Sequence, residues 1–394
     1  MTPRVADDGG VVHVIPSPRG RGAQRAARIL VDRLNQLGPP RHCLLALYDG
    51  PPEVDTDFPL AHISKRGRPA EGFDPRLALR LRTTLRQMHP AAVVAHGGDA
   101  MKYVLPAVIG SRTPLVYCVI GTYAGPSRLP HVWMWKGIMA AASLVVAVGR
   151  EVAEECTGRF GVRRSRVVEI PNGRDPTLYH PRHRQAAGPP TLIFVAALTL
   201  QKQPHRFVEV VQRLRTTDRS FRAMMVGDGP LAASVTPVAE AEGIEVLGAR
   251  SDVPDLLRAA DLFLFTSLPA GEGMPGVLIE AGLSGLASVS TRVPGAAEVL
   301  HEGVTGLVVE DSTTAMAEAV GQLLDHPDQR SAMGAAAQIR CESAFNLDLM
   351  ARRWEAALQP LLRQVPPARP PGALLRAKAA LRRAARSCRG SSQM

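Results

Sequence analysis

Apolar positions along the chain gather into short runs separated by stretches of helical spacing. Val11 to Ile15 is such a run, followed by a Gly/Arg loop, Ser17-Pro-Arg-Gly-Arg-Gly22, and by an amphipathic pattern from about Ala23 to Leu37. Further runs of buried-strand character lie at Cys43–Leu47, Ala92–Ala95, Leu115–Val119 and Leu144–Val148, with helical patterns near Pro75–Met88 and Met101–Ile109. Strands alternating with helices in this way predict a parallel sheet covered by helices on both faces.

The pattern breaks at Ile170-Pro-Asn-Gly-Arg-Asp-Pro-Thr-Leu-Tyr-His-Pro181, which reads as a turn, and Arg182 to Pro190 has the composition of an interdomain linker. A second alternation starts at Thr191–Ala197 and continues through Ala223–Val226, Ile244–Leu247, Leu262–Phe265, Ala287–Ser290 and Gly306–Val309. Last helices are expected from about Thr313 to Leu324 and from Asp348 to Leu362, before Pro366-Pro367 stops the pattern. Two doubly wound α/β domains joined by a hinge imply a cleft where strand ends and helix N-termini face a ligand.

Composition narrows the class. The 394 residues suffice for two domains of ordinary size, and 45% apolar with 4% aromatic content fits a globular protein built from Ala, Val and Leu. Cys43, Cys118, Cys156, Cys341 and Cys388 are scattered without CxxC spacing, which argues for reduced thiols in a cytoplasmic protein and against a zinc site or disulfide frame. Met1 to Gly10 lacks the basic-then-apolar order of a signal peptide, and the apolar stretch Ile138–Val148 is too short to span a bilayer. The net charge of +11 is uneven: from Arg363 onward there are eight Lys or Arg and no acid. That tail is expected to be solvated and disordered, and it admits peripheral contact with an anionic membrane at its inner face. A nucleic-acid partner is not expected, because no aromatic-rich basic platform accompanies the tail.

The segment richest in chemistry is Glu272-Gly-Met-Pro-Gly-Val-Leu-Ile-Glu280. Pro275 suits the first turn of a helix, and Gly273 and Gly276 leave backbone amides open to close approach. A helix N-terminus with free amides attracts phosphate oxygens through hydrogen bonds and dipole alike. Ionised carboxylates only accept hydrogen bonds, so Glu272 in the loop and Glu280 about one turn inside the helix can each hold a sugar or ribose diol. Taken alone, the segment is better read as a surface helix with solvated acids, since acids near helix starts are common.

It does not stand alone. Glu272-x7-Glu280, continued by Ala-Gly-Leu-Ser-Gly-Leu-Ala-Ser-Val-Ser, resembles the E-x7-E signature of family 4 retaining glycosyltransferases of the GT-B fold. The likeness runs through Ile170-Pro-Asn-Gly173, Leu198-Thr-Leu-Gln-Lys202, Val226-Gly-Asp-Gly-Pro-Leu231, Leu247–Leu257, Ala260–Leu264, Pro294-Gly-Ala-Ala-Glu298 and Gly303–Val308. In the first half, Gly20-Arg-Gly-Ala-Gln-Arg25 is similar to the Gly-rich loop that faces the donor sugar.

The resemblance implies two Rossmann-like domains, residues 1–183 and 184–345, a helix at 346–365 crossing back to the first domain, and a tail at 366–394. It implies transfer, with retention, of a sugar from a UDP- or GDP-linked donor to a glycan or lipid-linked glycan acceptor, with no divalent metal. Glu280 would hold the ribose diol, Glu272 the donor sugar, and Lys202 the departing diphosphate. The amides of Gly273, Met274, Pro275-Gly276 and Val277 would cradle the phosphates, with Gly20 and Gly22 closing over them and Arg250 beside the nucleobase.

Two departures accompany the likeness. Ala196 and Ala197 stand where the family has Gly-Arg, and Arg21, Arg25 and Arg174 are the arginines able to compensate. Ile120-Gly121 stands where many members carry a histidine near the reacting sugar; His96 is the nearest substitute. A nucleotide-sugar-binding protein without transfer activity and a GT-B epimerase therefore stay open as alternatives. Asp55-Thr-Asp57 spells a metal-binding D-x-D in a Pro-rich stretch with no strand leading into it, and is read as chance. Trp133 and Trp135, beside Tyr123 and His131, are expected to pack into a core.

Overall fold

The computed structural model describes residues 10–18, 22–48, 60–62, 73–123, 129–182, 188–270 and 272–363. Gly20, Arg21, Asp55, Asp57 and the basic tail lie outside them.

Two all-parallel sheets form the molecule. The first contains β1 (Val11–Ile15), β2 (His42–Ala46), β3 (Leu60–His62), β4 (Ala92–His96), β5 (Leu115–Val119), β6 (Leu144–Ala147) and β7 (Val167–Glu169), in spatial order β3-β2-β1-β4-β5-β6-β7. The second contains β8 (Thr191–Val195), β9 (Arg222–Val226), β10 (Glu245–Gly248), β11 (Leu262–Phe265), β12 (Ala287–Thr291) and β13 (Gly306–Val309), in order β10-β9-β8-β11-β12-β13. Helices cover both faces, so the central strands β1, β4, β5, β11 and β12 are buried at every residue. That is why β5 and β11 read as apolar runs rather than alternating ones, while β1, β4 and β12 also bury polar residues such as His13, His96 and Ser288. Each sheet reverses its winding beside its first strand, between β1 and β4 and between β8 and β11. Loops leaving the carboxyl ends of such neighbours run to opposite sides and open a crevice. In the second sheet those loops carry Lys202 and Glu272.

Elements beyond the expected pattern include two strands and two helices whose sequences explain the miss. β3 and β7 are three residues each, too short to carry a period. The helix Leu129–Ala140 is apolar along its length and so shows no single buried face. The helix Pro327–Ala344 buries small side chains, Gly334 and Ala337, with Met333 and Cys341. The two tryptophans separate: Trp135 stacks on Tyr117 with ring centroids 6.3 Å apart, whereas Trp133 is 66% exposed with the Lys136 ammonium 5.1 Å from its ring. The expectation that both pack inside fails for Trp133, because positions two apart on a helix point about 200° apart, toward opposite faces.

The helix Leu347–Arg363 returns to the first domain. It buries Met350, Ala351, Trp354 and Leu358 there, and Arg33 of the helix Gly22–Leu37 pairs with Asp348. Trp354 covers a chain of imidazoles. His13 Nδ1 lies 2.9 Å from His96 Nε2, and His13 Nε2 lies 3.0 Å from His42 Nδ1. The Trp354 ring is centred 6.3 Å from His13 and 6.1 Å from His96. His96, proposed from sequence as a site residue, thus turns its ring into the layer between sheet and returning helix, at 5% exposure. Burial lowers the pKa of His42 and of His96 to about 4, and lowers that of His13 well below the usual histidine value.

The folded state therefore refuses protons that the unfolded chain accepts near pH 6.5, and stability present above that pH is lost as pH falls toward 4. Urea unfolding midpoints should drop over this interval by more in the parent chain than in a His96→Gln variant. Equal drops would remove the imidazole chain as the cause.

Candidate active site

The loop after β8 tightens into a single 3-10 turn, Leu200–Lys202, ending at Gln203 in a left-handed conformation with φ 50°. It is stapled to the chain leaving β11: Thr266 Oγ1 donates to Lys202 O at 2.7 Å, and Leu268 N donates to Gln201 O at 2.8 Å. Lys202 therefore projects toward the next stretch of chain, where its ammonium pairs with Glu272 Oε1 and sits 5.3 Å from the Phe265 ring. Gln201 Nε2 donates to Ala270 O at 3.0 Å, which holds the same loop from its other side. Glu272 is only 8% exposed. A carboxylate so buried needs this cation, because an unpaired buried charge is costly.

The segment 272–274 also touches the first domain. Thr122 N and Oγ1 both donate to Glu272 O, at 3.0 and 3.2 Å, and Gly121 and Gly273 form an antiparallel bridge. A Cβ on Gly273 would collide with the carbonyl of Ile120. Its small size thus serves a backbone contact between domains, and not only the open amide that the sequence suggested. Asn172 Nδ2 donates to Met274 O at 3.0 Å and ties the interdomain turn to the same strand end.

Helix Gly276–Leu283 begins here. Pro275 is its N-cap, with φ −68° and ψ 104°, one position ahead of the first turn expected for it, and it has no side-chain group to cap the helix. Among the described residues, the amides of Gly276 and Val277 make no hydrogen bond, whereas that of Met274 faces Ile120 across the bridge. These free donors lie at a positive dipole end, an environment that attracts anions. Glu280, one turn along, does not face open water: its Oε1 accepts from Arg174 Nε at 2.6 Å. Arg174 comes from the turn Ile170–Pro181 and is 5% exposed. Nothing in the sequence pattern paired these two residues. Tyr179 stands nearby: burial pushes its phenol up, the Glu280 carboxylate adds to the rise, and Arg174 and Arg25 oppose it.

The remaining expected residues are spread around this core. Gly22 opens the helix Gly22–Leu37 and is exposed. Arg250 pairs its guanidinium with Asp252, with bonds of 2.8 and 2.6 Å, on an exposed part of the surface. Glu298 is a contact that sequence reasoning missed. Its Oε1 accepts from Arg150 N at 2.6 Å, capping a first-domain helix whose N-cap, Gly149, has no side chain. Its place at the start of a four-residue helix gave no sign of a reach between domains.

Comparison with known proteins divides at the same hinge. Residues 20–178 match the model described as Glycosyltransferase Family 4, and residues 189–326 match that described as Glycosyl transferases group 1. D-inositol 3-phosphate glycosyltransferase of Nocardia farcinica is 33% identical over 222 residues, covering 50% of this chain and 49% of that protein. The Vi polysaccharide biosynthesis protein VipC/TviE of Salmonella typhi is 35% identical over 117 residues, covering 29% of this chain and 20% of that one. The chain thus spans about half or less of these curated relatives. Among solved structures, HepE of Anabaena in complex with UDP and glucose superposes with a TM-score of 0.75 at 20% identity, covering 89% of this chain and 99% of that one.

Removing the cation should expose the strain of the buried acid. Lys202→Met should lower unfolding free energy by about 1–3 kcal/mol, and adding Glu272→Gln should recover part of that loss. Chemical denaturation of the two variants measures the coupling. Independent, additive effects would show the pair to be incidental.

Proposed function

Because the chain belongs to the family 4, group 1 glycosyltransferases of the GT-B fold, we propose that it transfers a sugar from a nucleoside diphosphate donor to an acceptor hydroxyl. The reading rests chiefly on one arrangement: the Lys202–Glu272 pair beside unbonded amides at the mouth of the Glu280 helix, at the switch point of the second sheet. The UDP and glucose named for the Anabaena structure support a nucleoside diphosphate sugar as donor. We take UDP and GDP as the candidate carriers and a glycan or lipid-linked glycan as the acceptor class.

Cleavage of the bond from anomeric carbon to phosphate oxygen leaves negative charge on the diphosphate and positive charge on the sugar ring. The amides of Gly276 and Val277 would meet the phosphate oxygens. Lys202 has three N–H donors and gives one to Glu272, so two remain for the leaving group. Glu272 would accept hydroxyls of the donor sugar, and Glu280 the ribose diol. Preorganised donors of this kind act where charge grows and supply several kcal/mol. In a retaining course, the acceptor oxygen bonds to the anomeric carbon on the face the phosphate leaves, and the departing phosphate oxygen takes the acceptor's proton. With these groups carrying the leaving charge, we propose that no divalent metal is required.

One observation favours a second reading, a binding protein without transfer: Ala197, where the resemblance places an arginine, is exposed and carries no charge.

Glu272→Ala should reduce transfer at least a hundredfold with little loss of nucleotide affinity, whereas Glu280→Ala should chiefly weaken nucleotide binding. Product formation and ligand-observed NMR with a panel of UDP and GDP sugars would measure both. Near-parent turnover in the two variants would remove these roles, and donor binding with neither transfer nor donor hydrolysis would favour the second reading. A chelator should leave turnover unchanged; loss restored by manganese would refute metal independence.

A further inference from the structure

We propose that Arg174 is a ligand of the donor's diphosphate, supplying from the interdomain turn the positive charge that Ala197 lacks, while the same guanidinium orients Glu280 for the ribose. The assignment rests on the donor reading above.

The arm is fixed at its root. Arg174 N donates to Phe345 O and Leu347 N donates to Arg174 O, both at 2.9 Å, and a Cβ on Gly173 would come within 2.8 Å of Asn346 O. From there the side chain crosses to the second domain and is almost wholly buried. Its Nε donates to Glu280 Oε1 at 2.6 Å, and its Nη1 donates to Gly173 O at 3.0 Å. Nη2 has no hydrogen-bond partner among the described residues. It lies against Gly276, where any Cβ would collide with it. An unused charged donor on a buried side chain therefore sits at the first residue of the helix whose leading amides are also unbonded.

This guanidinium spends two of its five N–H groups, on Glu280 and Gly173, and keeps both N–H groups of Nη2. Its position is also electrostatically poor without a further anion, since a cation at a helix N-terminus faces the positive end of the dipole. Glu280 offsets part of that, yet its Oε2 makes no hydrogen bond among the described residues. A nucleoside diphosphate satisfies both loose ends, with phosphate oxygen on Nη2 and ribose hydroxyl on Oε2. Each acid of the Glu272 and Glu280 pair then has its own cation, Lys202 for one and Arg174 for the other. The planar fork of arginine permits this double duty, which a lysine cannot reproduce.

Calorimetric titration of the full chain with UDP, UMP, GDP and GMP tests the assignment. The parent should prefer one diphosphate over its monophosphate. Arg174→Gln should cut that preference roughly tenfold to a hundredfold, the range for a hydrogen bond to a charged group. Arg174→Lys keeps the charge and guards against a variant that fails to fold; it should lose about tenfold in the same ratio while melting near the parent temperature. An unchanged ratio in both variants, with diphosphate and monophosphate affinities falling together or not at all, overturns the assignment and makes Arg174 a strut. A parent chain that binds none of the four nucleotides overturns the donor reading itself.

Discussion

Two backbones can approach within hydrogen-bonding distance across a domain boundary only where no side chain stands between them. Gly273 and Gly121 meet on that condition, and Thr122 completes the seam by donating twice to the carbonyl of Glu272. The rest of the candidate site depends on this contact. It fixes the stretch from Glu272 to Pro275 against the first domain, and so sets where the helix Gly276–Leu283 begins and what its open end faces. Asn172 on Met274 and Glu298 on the amide of Arg150 hold the same closure from either side.

Charge is the second constraint, and it follows from the first. Closing the seam buries Glu272 and Arg174 and half-buries Glu280, and buried charges persist only when paired. Lys202 and Arg174 answer this need from different parts of the chain, one from the loop after β8 and one from the interdomain turn. The result is a pocket of matched charges in which several donors are still unspent: two N–H groups on Lys202, those of Nη2 on Arg174 and the amides of the helix mouth. Such a site is held together by its own pairs and yet is unsatisfied toward an anion. These are the features required of a group that binds a diphosphate and stabilises it as it departs.

The first domain manages buried polarity differently. His13, His42 and His96 remain uncharged and satisfy one another beneath Trp354. That arrangement removes His96 from the list of groups presented to a ligand and makes it part of the join between the first sheet and the returning helix.

The order of apolar runs determined the fold class by itself, because strands buried on both faces and helices with one wet face leave different periods. A local motif, an acid on each side of a Pro-Gly helix start, singled out Glu272 and Glu280, and the family resemblance added Lys202. Short strands such as Val167–Glu169 and the all-round apolar helix Leu129–Ala140 left no period to find. The pairing of Arg174 with Glu280 joins residues 106 positions apart, and that of Glu298 with the Arg150 amide joins residues 148 apart. No local pattern encodes such contacts, and the turn of the His96 ring away from the cleft is equally nonlocal. Only the packing of one domain against the other decided which cation neutralises which acid, because a buried charge takes whatever partner the closed fold brings within reach.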